Sequence, residues 1–263
     1  MITCDPTPYT AKPQRWYNGF LVVVKAGCNL KEINMIVITD MMGTLTTGSP
    51  ILGFIDWVRQ HQSKAKARWL TTQMMLGYLS AKAGLIDARQ WQQNILIDSL
   101  DWIQAPSPAK LAEVSEWTVE HNLWPQRRED VIARLQAHVQ QGAQVIIASS
   151  VFEPVAAAFG SRIGAQAIGT PLTYEGGRAH PAGELVSGER KIQEAFNRLG
   201  VSQVDYAYGD TEQDIPLLKH AEHPVAVYPN PELFLAAQER GWEIMGDPVV
   251  IFKKRRSSAS PGK

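Results

Sequence analysis

Apolar positions along the chain follow two rhythms. Ile36-Val37-Ile38-Thr39 is a short unbroken run that stops at Asp40 and leads into Met41-Met42-Gly43-Thr44-Leu45. A run of that length without polar alternation predicts a strand buried on both faces, its carboxyl end opening into a loop. From about residue 51 to 123 the rhythm changes. Leu52, Ile55, Trp57 and Val58, then Trp69, Leu70, Met74, Leu76 and Leu79, then Trp91, Ile95, Leu96, Leu100 and Ile103 recur at three- and four-residue spacings. Ala105-Pro106-Ser107-Pro108 interrupts them, and Leu111, Val114, Val119 and Leu123 resume. Glycine is rare here and β-branched alternation is absent, which predicts a block of helices.

After Pro125 strand-like and helix-like segments alternate. A helix over Glu129–Gln140 presents Val131, Ile132, Leu135 and Val139 and stops at Gly142, a good helix terminator. The strand Val145–Ala148 runs into Ser149-Ser150, and Glu175-Gly176-Gly177 marks a hairpin turn. A helix containing Lys191, a strand Val204–Tyr208 and the loop Gly209-Asp210-Thr211-Glu212-Gln213-Asp214 follow. A helix through Leu217-Leu218, a strand Val225–Val227 and a helix over Glu232–Arg240 complete the pattern. Alternation of this kind implies an α/β fold: a doubly wound parallel sheet with right-handed crossovers, here carrying a helical cap inserted after its first strand. The expected division is a core over 35–46 and 124–252, a cap over 47–123, an N-terminal extension over 1–34 and a basic tail over 253–263. Both ends are expected to be poorly ordered, as termini not tied down by burial usually are.

Composition narrows the partners. Lys plus Arg and Asp plus Glu both number 26 in 263 residues, so the chain as a whole has no electrostatic attraction to nucleic acid or anionic membrane. Two cysteines, Cys4 and Cys28, are too few for a disulfide framework or a cysteine-rich zinc site. No apolar run approaches the ~20 residues of a spanning helix. Met1–Pro6 lacks a basic stretch followed by an apolar one, so a cytoplasmic location is the expectation.

Candidate chemistry gathers at the carboxyl ends of the strands, where ligands of such sheets bind. Asp40 follows one apolar strand; Asp210 and Asp214 follow another. Three acids converging on one edge repel unless a cation neutralises them, and hard oxygen donors without nearby His or Cys suit Mg²⁺. Gly43 and Gly209 permit close backbone approach. Ser149 or Ser150 offers a hydroxyl to a phosphate oxygen, and Lys191 an ammonium. Each residue has a plainer account as well: Asp40 as a turn cap, Ser149 and Ser150 as caps of the next helix, Lys191 as a solvated lysine. The five tryptophans of the insertion (Trp57, Trp69, Trp91, Trp102, Trp117) are expected to form its small core rather than an aromatic pocket. The run Arg59–Arg68 is expected to be a solvated loop.

The segments Asp40–Leu45, the serine after the next strand, Lys191 and Gly209–Asp214 resemble, in order, the four motifs of the haloacid dehalogenase superfamily. The helical insertion after the first motif resembles its phosphoserine-phosphatase-like branch, and the resemblance spans about residues 35–246. It implies that Asp40 attacks phosphorus to form an aspartyl-phosphate. It also implies that Asp40, the Met42 carbonyl and Asp210 hold Mg²⁺ with Asp214 supporting the metal shell, and that Lys191 orients Asp40 and the phosphoryl group. Ser149, ahead of Ser150, takes the phosphate-binding role. The substrate implied is a small phosphorylated metabolite, with neither nucleic acid nor membrane as partner.

One position departs from the pattern. Phosphatases of the superfamily read Asp-x-Asp-Gly-Thr, and here the second acid is Met42. A thioether neither protonates a leaving alkoxide nor takes a proton from water. General acid–base catalysis is worth ~10²–10⁴-fold, about 3–5 kcal/mol of barrier. Three readings follow: a phosphatase-like hydrolase suited to acidic leaving groups, a catalytically silent binder of phosphate and Mg²⁺, or a metal-independent 2-haloacid dehalogenase.

Overall fold

A computed structural model describes residues 35–248 and, upstream, two short strands, Trp16–Tyr17 (β1) and Phe20–Leu21 (β2). These two pair antiparallel within a separate unit. The expectations of poor order for 1–34 and 253–263 otherwise fall outside the described residues.

The main unit is built on six parallel strands: β3 (Ile36–Thr39), β4 (Gln144–Phe152), β5 (Gln166–Thr170), β8 (Val204–Gly209), β9 (Ala221–Val227) and β10 (Glu243–Met245), in spatial order β10-β9-β8-β3-β4-β5. The first strand of the sheet is thus central. From it the chain winds outward through β4 and β5, then returns to β8 and winds the other way, leaving a switch point between β3 and β8. Alternation of side chains sorts the core into two layers. Val37, Val145, Ile147 and Val225 point to the face covered by α5 (Glu129–Gln140) and α6 (Glu153–Ser161). Ile38, Ile146, Ala207 and Ala226 point to the opposite face, covered by α7 (Glu189–Leu199), α8 (Ile215–Leu218) and α9 (Pro231–Arg240). The α/β, doubly wound fold read from the sequence is the one observed.

Between β3 and α5 lie α1 (Pro50–His61), α2 (Lys64–Lys82), α3 (Ala88–Ile103) and α4 (Pro108–Thr118), each opened by a Ser or Asp side chain that accepts an N–H of its first turn. The insertion's entry and exit are tied together. Thr46 Oγ1 donates to the Leu123 carbonyl at 2.6 Å, and the Ser49 N–H donates to Asn122 Oδ1 at 3.0 Å. Leu123 and Asn122 sit in a π-helical turn, Val119–Leu123. A hairpin, β6 (Leu172–Glu175) and β7 (Arg178–Pro181), packs against α3. Its turn uses Gly176 and Gly177 at φ +56° and +73°.

Three expectations are corrected. Arg59–Arg68 is not a loop: it closes α1 and opens α2, with only Gln62 and Ser63 between them. The tryptophans are not one core. Trp57 is buried, Trp91, Trp102 and Trp117 are half-buried, and Trp69 is more than half exposed. Strand β4 does not end at Ala148 but continues to Phe152 through an irregularity in its pairing with β5. Ser149 and Ser150 therefore lie within a strand, and α6 begins after Phe152 without a side-chain cap, so neither serine is a helix cap.

Candidate active site

The carboxyl edge of the three central strands gathers residues from four distant parts of the chain. Asp40 leaves β3, its N–H held by the Tyr208 carbonyl of β8 at 2.9 Å. Lys191, in the first turn of α7, donates from Nζ to Asp40 Oδ1 at 2.5 Å and to Asp214 Oδ1 at 2.8 Å. Asp40, Lys191 and Asp214 are 6, 5 and 2% exposed, so these charges interact with little screening by water. Asp214 Oδ2 in turn accepts the Asp210 and Thr211 N–H groups, both at 3.2 Å, and the Thr211 hydroxyl at 3.3 Å. Both Asp214 oxygens are thus engaged, and its carboxylate fixes the loop after β8.

Thr44 joins the two halves: its hydroxyl donates to Asp210 Oδ1 at 2.9 Å and lies 3.5 Å from Asp40 Oδ2. The glycines serve this approach. Gly43 has φ +87°, and a Cβ there would stand 2.0 Å from Asp210 Oδ2; a Cβ at Gly209 would stand 2.3 Å from the Asp214 Cβ. Arg128 Nε donates to the Gly43 carbonyl at 2.7 Å while its guanidinium lies over the Tyr228 ring, which secures the loop from behind.

Electrostatics show an excess of negative charge. Burial pushes the Asp40 carboxyl up to about 6; the Lys191 ammonium opposes this and Asp214 reinforces it. Burial, then repulsion from Asp40 and Asp214, pushes Asp210 up to about 8. Burial alone would lower Lys191, but the carboxylates of Asp214 and Asp40 outweigh it and raise it. One ammonium balances one of three carboxylates. One oxygen from each of Asp40, Asp210 and Asp214 lies within 4.8 Å of the others, the spacing of a shared cation. All-oxygen donors with uncompensated charge fit a hard divalent ion such as Mg²⁺.

Ser149 lies just past the β3–β4 pairing of Thr39 with Ile147, is 1% exposed, and its Oγ has no hydrogen-bond partner. An orphaned buried hydroxyl requires an explanation, and a ligand oxygen supplies one. Ser150 is half-buried, and its carbonyl accepts from Thr170 Oγ1 at 2.8 Å. Met42 is partly buried against the main apolar cluster and puts no carboxyl beside Asp40. Sequence reasoning assigned no role to Thr44, although it lies inside the first motif. Arg128 and Asn230, whose N–H donates to the Asp210 carbonyl at 2.9 Å, were missed entirely; nothing local to either residue signals the contact.

With this geometry in place, comparison with known proteins is decisive. Residues 37–219 match the haloacid dehalogenase-like hydrolase family. The chain belongs to that family. A histidinol-phosphatase of Neisseria meningitidis is 30% identical, the match covering 65% of this chain and 88% of that protein. Phosphoserine phosphatase SerB1 of Mycobacterium tuberculosis is 27% identical, covering 78% of this chain and 68% of that protein. Among solved structures, a protein of unknown function from Bordetella pertussis shares the fold at a TM-score of 0.66 and 23% identity, covering 81% of this chain and 98% of that one. A substrate-bound phosphoserine phosphatase shares it at 0.51 and 14%, covering 80% and 92%. This haloacid dehalogenase-like protein is a hydrolase of the phosphatase class. No helix among the described residues is long and apolar enough to cross a membrane.

Proposed function

We propose that the protein is an Mg²⁺-dependent phosphatase of a small phosphorylated metabolite that works through a phosphorylated Asp40. The observation that carries this reading is the buried Asp40–Lys191–Asp214 chain closed onto Asp210 through Thr44. Lys191 holds Oδ1 of Asp40, so Oδ2 is the oxygen presented for attack. In the first half-reaction Oδ2 bonds to phosphorus and the bond from phosphorus to the leaving oxygen breaks, releasing the leaving group as its anion, which takes a proton from solvent. In the second, water attacks the same phosphorus, the bond from Asp40 Oδ2 to phosphorus breaks, and the product leaves as dihydrogen phosphate carrying both of the water's protons, one of which then passes to solvent, with the Asp40 carboxylate restored. The Ser149 hydroxyl and the Lys191 ammonium hold phosphoryl oxygens in line for both steps. Asp40, Asp210 and the Met42 carbonyl would hold Mg²⁺, with Asp214 bracing the loop, and the ion would supply charge neutralisation for the phosphoryl oxygens. Relatives named for histidinol phosphate and phosphoserine support a small phosphate ester as the substrate class.

Met42 shapes the selectivity. With no acid to protonate the leaving oxygen, acyl and aryl phosphates, whose leaving groups depart as stable anions, are favoured over alkyl phosphates. The test is Mg²⁺-dependent release of phosphate from acetyl phosphate and p-nitrophenyl phosphate. Asp40→Asn is expected to lower it by more than ~10⁴-fold, as removal of a nucleophile does. Absence of turnover on both substrates overturns the reading and favours the second one, a silent binder of phosphate and Mg²⁺, which the missing acid at Met42 supports. Met42→Asp separates the two: a gain of ~10²–10⁴-fold on alkyl phosphates is expected of intact machinery and not of a silent binder. Halide release from a 2-haloacid without metal would instead identify a dehalogenase.

A further inference from the structure

We propose that the outer face of α2 docks the protein onto an anionic lipid surface. Helix α2 carries two apolar faces. The inner one, with Ala67, Leu70 and Met74, is sealed against Ile51, Ile55 and Val58 of α1. The outer one is bare: Trp69, Leu76 and Leu79, spaced at seven and three residues, form a stripe widened by Met75 and Tyr78, and Leu85 extends it past the helix end. All six side chains are more than half exposed. Of the ten large hydrophobic residues exposed among the described residues, eight lie between Trp69 and Ile97. The largest apolar patch of an ordinary monomer is ~300–600 Å², and concentration of this kind marks a docking face.

Charge identifies the occupant. From Lys64 to Ile86 the chain holds Lys64, Lys66, Arg68 and Lys82 and no acidic residue. The overall neutrality of the protein conceals this local excess. Two copies meeting through α2 would set Lys64, Arg68 and Lys82 against their counterparts, with no acidic residue within α2 to answer them. The shape matters too: the stripe lies on the outside of a single helix, not in a groove that would receive a peptide. Cations at both ends of a stripe that carries Trp and Tyr match the boundary between headgroups and acyl chains, where the rings and aliphatic groups embed and the ammonium groups meet lipid phosphates. A helix of 19 residues with this pattern lies in the interface rather than crossing it.

The experiment is flotation of the full chain with vesicles of phosphatidylcholine containing or lacking phosphatidylglycerol, at low and high salt. Association is expected only with the anionic vesicles and is weakened by salt. Leu76→Glu/Leu79→Glu is expected to reduce it at least tenfold, and Lys64→Ala and Arg68→Ala about fivefold each. All four positions are exposed, so thermal melting of the variants should match that of the parent and excludes misfolding as the cause. Equal association with neutral vesicles, or anionic binding that the α2 variants leave intact, overturns the proposal. So does a dimer in equilibrium sedimentation that Leu76→Glu/Leu79→Glu disperses, which would assign the stripe to a second copy.

Discussion

The carboxyl edge of the sheet and the outer face of α2 break the usual rule of burial in opposite directions. At the sheet edge, Asp40, Lys191 and Asp214 are charged and buried; on α2, Trp69, Leu76 and Leu79 are apolar and exposed. Buried charges and exposed apolar clusters are the informative departures in a folded chain, because each carries a free-energy cost that packing alone does not explain. The two also differ in what would relieve them. The sheet edge lacks positive charge, which a small hard cation would supply. The α2 face lacks apolar cover and is completed only by an extended surface.

Lys191→Met tests the first departure most severely. It leaves Asp40 and Asp214 without their shared ammonium, and loss of one partner of a buried ion pair costs about 3–5 kcal/mol. Urea denaturation of the metal-free protein near neutral pH should report it; a loss under ~1 kcal/mol would mean that water already reaches the carboxylates.

The second departure is tested by two leucines on one helix. Leu70→Ala, on the sealed face, should cost about 2–5 kcal/mol, whereas Leu76→Ala, on the bare face, should stay within about 0.5 kcal/mol. Similar costs for the two would mean that the outer stripe is already covered within the molecule.

The smallest effect is the pH dependence. Folding raises the Asp40 carboxyl from 3.8 to about 6 and the Asp210 carboxyl from 3.8 to about 8. Groups whose folded value lies above the unfolded one stabilise fully below the unfolded value, near pH ~4, and lose that contribution as pH rises through the folded value. The metal-free protein should therefore weaken most steeply between about pH 4 and 6, where both groups contribute, more gently from about 6 to 8, where only Asp210 does, and level off above that. Asp210→Asn should remove the decline between about pH 6 and 8 and raise metal-free stability at about pH 9 by on the order of 1 kcal/mol or more. Saturating Mg²⁺ should flatten the same profile in the parent, and thermal melts with and without a chelator would show either result. A flat metal-free profile would deny that the three acids share unneutralised charge.

Legibility in the sequence followed the range of the interaction responsible. Asp40, Asp210 and Asp214 were found because each stands at the end of a strand whose apolar run announces it, and Lys191 because of its place in the motif order. Arg128 was not, since both of its contacts are remote in the chain: the Gly43 carbonyl, 85 residues away, and the Tyr228 ring. The serines were read as strand-end residues that could equally cap α6; the added length of β4 depends on pairing with β5 and has no local cause. On α2 the spacing revealed a helix but not which of its two apolar faces would find a partner.

Alone, the sequence determined the α/β order, the helical insertion and the identity of the acids and the lysine. Local periodicity and turn chemistry write those features directly into neighbouring residues. Tertiary structure decided which oxygens meet, that Ser149 rather than Ser150 holds an orphaned buried hydroxyl, and that one face of α2 stays open. Those outcomes depend on distances between segments far apart in the chain, and only the packed sheet and its helices set such distances.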